Sequence, residues 1–428
     1  MSSMGFFGDR GLVVFGFGPI GAGLFVHEAF RTGAYRPPLV VDVQVPLLTA
    51  IRAHDGRVSL NVAQADGVTS HEVGPVETAN PDQPADRDRI VAAIADADFV
   101  ATCLPGTASY ARGDEASPAR LIAAGLARRR RPDRLVLYAA ENAVNAAGGL
   151  IAAIDAVTPG LAADRVDARD TVIGKMSGVQ ADPDVIRALR LAPLTPGYPA
   201  AILVEAFDAI LVSGRPGLLG AITPEAPGFP TFRAVADLEP FEFAKLYGHN
   251  ATHALGAFLG VHLGLGVFAD LVQVEGALRL LAEAFELESG AALVGRFAGA
   301  GPLFTEAGYR AYANDLLTRM TNPYLHDSIE RAARDPARKL GWDDRLVGTI
   351  RVCLGRGIEA RRYALGAAAG LAVLEPDVVN SRVSVREALG RCWPNEAQSS
   401  EEAGRVFQLV EDGLERLRPI LASGRITE

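Results

Sequence analysis

The spacing of apolar and polar positions changes character near residue 235. Before that point, short apolar runs alternate with helical patterns. Gly11-Leu12-Val13-Val14-Phe15, Leu39-Val40-Val41 and residues 98–104 and 134–138 have the length and continuity of buried parallel strands. Residues 90–97 and 151–156 repeat apolar side chains at helical spacing. Between 170 and 212 the alternation lapses. Thr171-Val172-Ile173 and Ala201-Ile202-Leu203-Val204-Glu205-Ala206-Phe207 there predict strands that extend the same sheet, and Pro224, Pro227, Gly228 and Pro230 mark a loop. Beyond the boundary almost every segment is helix-patterned: 278–292, 309–320, 346–354, 359–374 and 403–420. A chain of 428 residues also exceeds what one core usually organises. The expected architecture is an α/β domain over residues 11–235 and an all-α domain over residues 236–428.

The first strand runs directly into Gly16-Phe17-Gly18-Pro19-Ile20-Gly21, a GxGxxG turn followed by a plausible helix. Glycines there allow a tight turn and let backbone approach a pyrophosphate at the helix N-terminus. The second strand ends in Asp42, 21 residues past Gly21, where a carboxylate can accept from both ribose hydroxyls of NAD. A 2′-phosphate would be repelled by it, and no arginine adjoins it, so NAD is favoured over NADP. The α/β domain is therefore read as Rossmann-type with an extended sheet. Gly16, Gly18, Pro19, Ile20, Gly21, Asp42 and Glu141 form the expected cofactor set. Pro105-Gly106 and Ala140-Glu141-Asn142 follow later strands and point towards the same crevice. Glu141 also suits a structural role, and Asn142 a turn.

The helical domain opens with Lys245-Leu246-Tyr247-Gly248-His249-Asn250-Ala251-Thr252-His253, ahead of a strongly apolar stretch. On an α-helix Lys245, Asn250 and His253 span an arc of roughly 140°. A lysine desolvated by apolar neighbours loses proton affinity and serves as a general base. An asparagine amide can donate to a developing alkoxide, and a histidine can orient a hydroxyl. The same spacing equally fits a helix start with ordinary hydrogen-bonding side chains. Further on, Arg331, Arg334, Arg338, Lys339 and Arg345 are interleaved with Asp327, Glu330, Asp335, Asp343 and Asp344. This is either a salt-bridged surface or a set of cations of which two or three bind a substrate phosphate.

Composition narrows the partners. The net charge of −9 argues against nucleic acid, and the four-arginine run 128–131 reads as a solvated helix end favoured by the helix dipole. Cys103, Cys353 and Cys392 are too scattered for a metal site and read as reduced thiols of a cytoplasmic protein. No secretory leader or membrane span is expected, and residues 251–265 suit a buried helix. The expected partner is a small-molecule substrate, with a monomer as the working expectation for assembly.

Four blocks together resemble the polyol-specific long-chain dehydrogenases of the mannitol dehydrogenase family, above all the mannitol-1-phosphate 5-dehydrogenase branch. Phe15 to Gly23 resembles the family's FGxGxIGRG start, and Ala140-Glu141-Asn142 its C-[ED]-N block. Lys245, Asn250 and His253 match its KxxxxNxxH signature. Asn322-Pro323-Tyr324-Leu325 with Glu330-Arg331, Pro336, Arg338-Lys339-Leu340 and Asp344-Arg345-Leu346 is similar to a block of the phosphate-using branch. Ala22, Ala140 and Gly248-His249 depart from the usual pattern. The resemblance implies metal-independent chemistry in a crevice between the domains. Lys245 would exchange the hydroxyl proton, Asn142 and Asn250 would stabilise the alkoxide, and His253 would hold the reacting oxygen. Arg338, Lys339 and Arg345 are the candidates for a substrate phosphate. Mannitol 1-phosphate and fructose 6-phosphate are the substrates implied. Another sugar phosphate, a free polyol, a sugar acid and a non-catalytic NAD-binding sensor remain as alternatives.

Overall fold

Strand β1 (Leu12–Phe15) is buried on both faces, and its side chains divide between two cores. Leu12 and Val14 join a cluster with Leu24 and Phe25, whereas Val13 and Phe15 join one with Ile90 and Ile122. The period-2 alternation of a strand does this automatically, which is why a strand covered on both sides reads as a continuous apolar run. The computed structural model describes residues 5–112, 114–206, 209–214 and 226–426. The chain divides into two units, Met1–Leu238 and Glu239–Glu428.

The remaining strands of unit 1 are β2 (Leu39–Val41), β3 (Val58–Ala63), β4 (Val68–Val73), β5 (Glu77–Ala79), β6 (Phe99–Thr102), β7 (Leu135–Ala139), β8 (Val166–Val172), β9 (Ser177–Gln180), β10 (Ala201–Glu205), β11 (Ile210–Ser213) and β12 (Phe232–Val235). Eight of them form one sheet in the order β12-β11-β8-β7-β6-β1-β2-β5. From β5 to β8 every pairing is parallel, in the doubly wound order of a dinucleotide-binding fold. β11 then joins antiparallel to β8, and β12 parallel to β11, giving the extended sheet. The order reverses between β1 and β6, so the crevice outside their carboxyl ends is the ligand position of this fold.

Three expectations need correction. The 201–207 segment does not extend the main sheet. β10 lies in a second, four-stranded sheet of order β4-β3-β10-β9, which packs on the Phe25 side of the first. Phe207 and Pro224 lie outside the described residues. Strands β3, β4, β5, β9, β11 and β12 carried no prediction; on β4 Ser70, His71 and Glu72 interrupt the apolar signal, and β5 is only three residues long. The arginine run is not simply solvated. Arg129 is buried and donates to the carbonyls of Ala95 and Ala97, closing the end of the Pro84–Asp96 helix, while Arg131 pairs with Asp98 at 2.5 Å.

Among its described residues unit 2 has helices and no strand beyond a bridge between Val267 and Ser328. The Ala251–His262 helix is apolar nearly all round because it lies inside the bundle. Gly366 and Gly370 let the Arg361–Leu374 helix close on it. A Cβ at either would come within 2.8 Å of the Leu255 or Phe258 side chain. Among the described residues no helix is long and apolar enough to cross a membrane.

Candidate active site

The turn after β1 is held in a conformation that calls for glycine at two of its positions. Gly16 adopts φ +87°, and a Cβ there would come 2.5 Å from the carbonyl oxygen of Cys103, at the end of β6. A Cβ on Gly21 would overlap the carbonyl of Gly16, so both positions demand glycine for their own packing. Gly18 differs: nothing lies within 4 Å of a Cβ placed there. The protein does not need that glycine for internal packing, so the open face is what a pyrophosphate approaching the backbone requires. Pro19 and Ile20 start the helix that follows, and both stay partly accessible. Asp42 stands at the end of β2. Its Oδ2 accepts from the amide of Phe17 at 2.8 Å and its Oδ1 from that of Gln44 at 2.9 Å, which ties the carboxylate to the glycine turn. Each oxygen keeps a second lone pair for a ribose hydroxyl.

Glu141 turns out to be occupied by the protein. Its buried carboxylate accepts from Thr102 Oγ1 and the amide of Leu104, both at 2.9 Å, and from the Tyr110 hydroxyl. Burial pushes its pKa up against the pull of these donors. It therefore braces the loop after β6. Asn142, the next residue, is exposed in the turn before the Ala146–Val157 helix.

In unit 2, Lys245 and Asn250 do not lie on a regular α-helix. They fall in a π-helical stretch, Ala244–Asn250, set between Glu239–Phe243 and Ala251–His262. Hydrogen bonds in a π-turn run from i to i+5, which stacks residues five apart, so Lys245 and Asn250 align better than the α-helical arc allowed. Such turns are rare and need external support. Here Thr349 Oγ1 donates to the Tyr247 carbonyl at 3.0 Å, and Gly248 makes room for the Tyr309 hydroxyl, which any side chain would overlap.

Lys245 is half-buried, and burial is the main reason its pKa falls to about 8. The nearby charge of Arg345 lowers it further, and Glu242 opposes. The structure thus brings Arg345 and Lys245 into one electrostatic neighbourhood. His253 faces Asp327, its Nε2 2.7 Å from Oδ2, and its ring stacks on Phe268 at 4.2 Å. Burial alone would raise Asp327, but His253 and Arg331, the latter 2.6 Å from Oδ1, outweigh it and hold the carboxyl down to about 2. This pair was missed from sequence, because Asp327 looked like one acid among several and its partner lies 74 residues earlier. His249 is buried, and burial first, then Arg319, His253 and Lys245, push its pKa well down, so it stays neutral.

The three phosphate candidates separate. Arg345 is mostly buried, with Nε 2.8 Å from Asp344, and Arg338 is half-exposed between Asp335 and Asp344. Lys339 is buried, and its amine donates to the Arg334 carbonyl, which takes one of its three donors. Among the described residues no group of three His, Cys, Asp or Glu is disposed to hold a metal ion.

Residues 237–409 match the family model described as mannitol dehydrogenase C-terminal domain. A mannitol-1-phosphate 5-dehydrogenase of Lacticaseibacillus casei is 30% identical over 358 residues, 81% of this chain and 83% of that protein. The chain belongs to the mannitol dehydrogenase family. A mannitol-1-phosphate 5-dehydrogenase of Exiguobacterium sibiricum is 29% identical over 85% of this chain and 86% of its own length. In fold, the chain is similar to Pseudomonas fluorescens mannitol 2-dehydrogenase, solved as a ternary complex with NAD and D-mannitol. The TM-score is 0.69 at 14% identity, covering 97% of this chain and 94% of that one. As a member of this family the chain is an oxidoreductase, a polyol dehydrogenase with a Rossmann-type domain followed by an all-α domain.

Proposed function

We propose that this polyol dehydrogenase uses NAD to interconvert mannitol 1-phosphate and fructose 6-phosphate, with Lys245 as the acid/base. The observation that carries the reading is the juxtaposition of a lysine of lowered pKa with Arg345, a cation able to pair with a phosphate. The names of the relatives point the same way. The open face at Gly18 and the Asp42 carboxylate fit NAD, the dinucleotide named in the Pseudomonas complex. Bound NAD supplies the hydride acceptor.

The chain's own part is proton handling and orientation. In polyol oxidation, neutral Lys245 takes the hydroxyl proton as the carbon gives up its hydride. In ketose reduction the ammonium returns it. Asn250, aligned above Lys245 by the π-turn, donates to the developing alkoxide, and Asn142 is assigned the same task from unit 1. His253 holds the reacting oxygen, with Asp327 and Phe268 fixing the ring. Arg338 and Arg345 are assigned to the phosphate. Residues 11–235 serve the cofactor and 236–428 the substrate. The reading invokes no metal, since the lysine does the work a Lewis acid would otherwise do. The direct test is NADH oxidation with fructose 6-phosphate, against free fructose and a sugar acid as controls. Turnover with fructose 6-phosphate supports the proposal, and turnover only with an unphosphorylated substrate rejects it.

A further inference from the structure

The second sheet of unit 1 is locked onto the cofactor turn. Gly23 lies just beyond that turn, and a Cβ there would come 2.5 Å from Cγ1 of Val204 on β10, so glycine is what lets the helix and β10 close on each other. The same sheet carries one side chain to the end of β2, where Asp42 stands. The chain between β9 and β10 includes Thr195-Pro196-Gly197-Tyr198. Pro196 in second place, Gly197 at φ +79° and the Tyr198 amide donating to the Thr195 carbonyl at 3.1 Å make a tight turn of type II character.

The base of that turn is fixed on β3. Thr195 Oγ1 donates to the Arg57 carbonyl at 3.2 Å, and the Ser59 amide donates to the Leu194 carbonyl at 2.7 Å. Buried Asn61 exchanges two bonds with the backbone of Ala192, both at 2.9 Å. The Tyr198 ring packs against the core shared by the two sheets, and its hydroxyl reaches Oε1 of Gln44 at 3.3 Å. Gln44 is the residue whose amide donates to Asp42 Oδ1 at 2.9 Å. Asp42, Gln44 and Tyr198 thus form one chain of contacts at the end of β2. Burial first, and then the Asp42 charge, raise the Tyr198 pKa, so its hydroxyl stays protonated. Val43 and Val45, on either side of Gln44, are 45% and 56% exposed, an apolar edge suited to the adenosine half of a dinucleotide.

NADP differs from NAD by a 2′-phosphate, which carries about −1.5 to −2 charge at pH 7. Asp42 repels it, and neither Gln44 nor Tyr198 offers a positive charge in return. Repulsion at an open edge is screened by salt, whereas occupied space is not. Discrimination against a close analogue is strongest where an obstruction accompanies the unfavourable charge. We propose that Tyr198 is a specificity-determining residue of the cofactor site: with Gln44 it fills the space beyond Asp42 that a 2′-phosphate would need, so the second sheet enforces NAD over NADP. The inference rests on the reading of the glycine turn and Asp42 as an NAD site.

The test is calorimetric titration of the full chain with NADH and with NADPH, read as the ratio of the two dissociation constants. The wild-type chain should favour NADH, and Asp42→Ala should narrow the ratio by removing the repulsion. Adding Tyr198→Ala to Asp42→Ala should narrow it at least a further tenfold, because the obstruction then goes as well. A merely structural role for Tyr198 would weaken both dinucleotides alike and leave the ratio where Asp42→Ala put it, which overturns the proposal. If the Tyr198 variant fails to fold, Gln44→Ala, at an exposed position, takes its place in the same background. The same further narrowing is expected there, and an unchanged ratio again overturns the proposal. A wild-type preference for NADPH would reject the NAD reading of the turn itself and this inference with it, an outcome seen before any variant is made.

Discussion

The ionisation of Lys245 decides whether the proposed chemistry runs near neutral pH. An unperturbed lysine, with a pKa of about 10.4, is neutral in roughly one molecule in 2,500 at pH 7. At about 8 it is neutral in roughly one in ten, a gain of about 250-fold in competent base. Oxidation requires the neutral amine. Its kcat/KM should therefore rise about tenfold per pH unit below pH 8 and level off above. Reduction requires the ammonium, so it should hold below pH 8 and fall above. Two substitutions test the cause. Arg345→Gln removes a neighbouring cation and should move the limb up in pH. Glu242→Gln removes the opposing anion and should move it down. Both shifts should be smaller than the total displacement, because burial is the largest cause and neither substitution changes it. The assay is steady-state kcat/KM from pH 6 to 10 at fixed ionic strength with saturating cofactor. A wild-type limb near pH 10.4, or shifts of the same sign in the two variants, would refute the reasoning.

Other outcomes follow from the same geometry. Arg338→Ala should raise KM for a phosphorylated substrate roughly ten- to a hundredfold and leave a free polyol nearly unchanged, as loss of a charge-assisted hydrogen bond predicts; parallel Michaelis curves check this. Asp327→Asn should lower kcat at least about tenfold. It should also cost on the order of 2 kcal/mol at pH 7, since the folded carboxyl sits near 2, below its ordinary value. That stability is present above about pH 4 and lost as pH falls towards 2, so denaturant midpoints of the two proteins should converge on acidification. Asp42→Ala should raise KM for NAD and narrow the preference over NADP, measured by initial rates with each cofactor.

Much of this protein was settled by local patterning. Buried parallel strands need continuous apolar runs, and a glycine turn needs glycine, so β1, Gly16 to Gly21 and Asp42 are legible in the amino-acid sequence itself. The helices of the second domain are legible for the same reason: their apolar spacing records which face is covered. Pairing between distant segments leaves no such trace. Residues 201–205 look like any apolar strand, and only their partner β3 decides that they build a second sheet. Lys245 and Asn250 were visible as residues, but the π-turn that aligns them depends on support from Thr349 and space beside Tyr309. Asp327 and Lys339 each read in the sequence as one charge among several of its sign. Tertiary structure gave one a histidine partner and the other a backbone carbonyl, because what an ionisable group can do depends on its solvation and on which groups fill its hydrogen bonds.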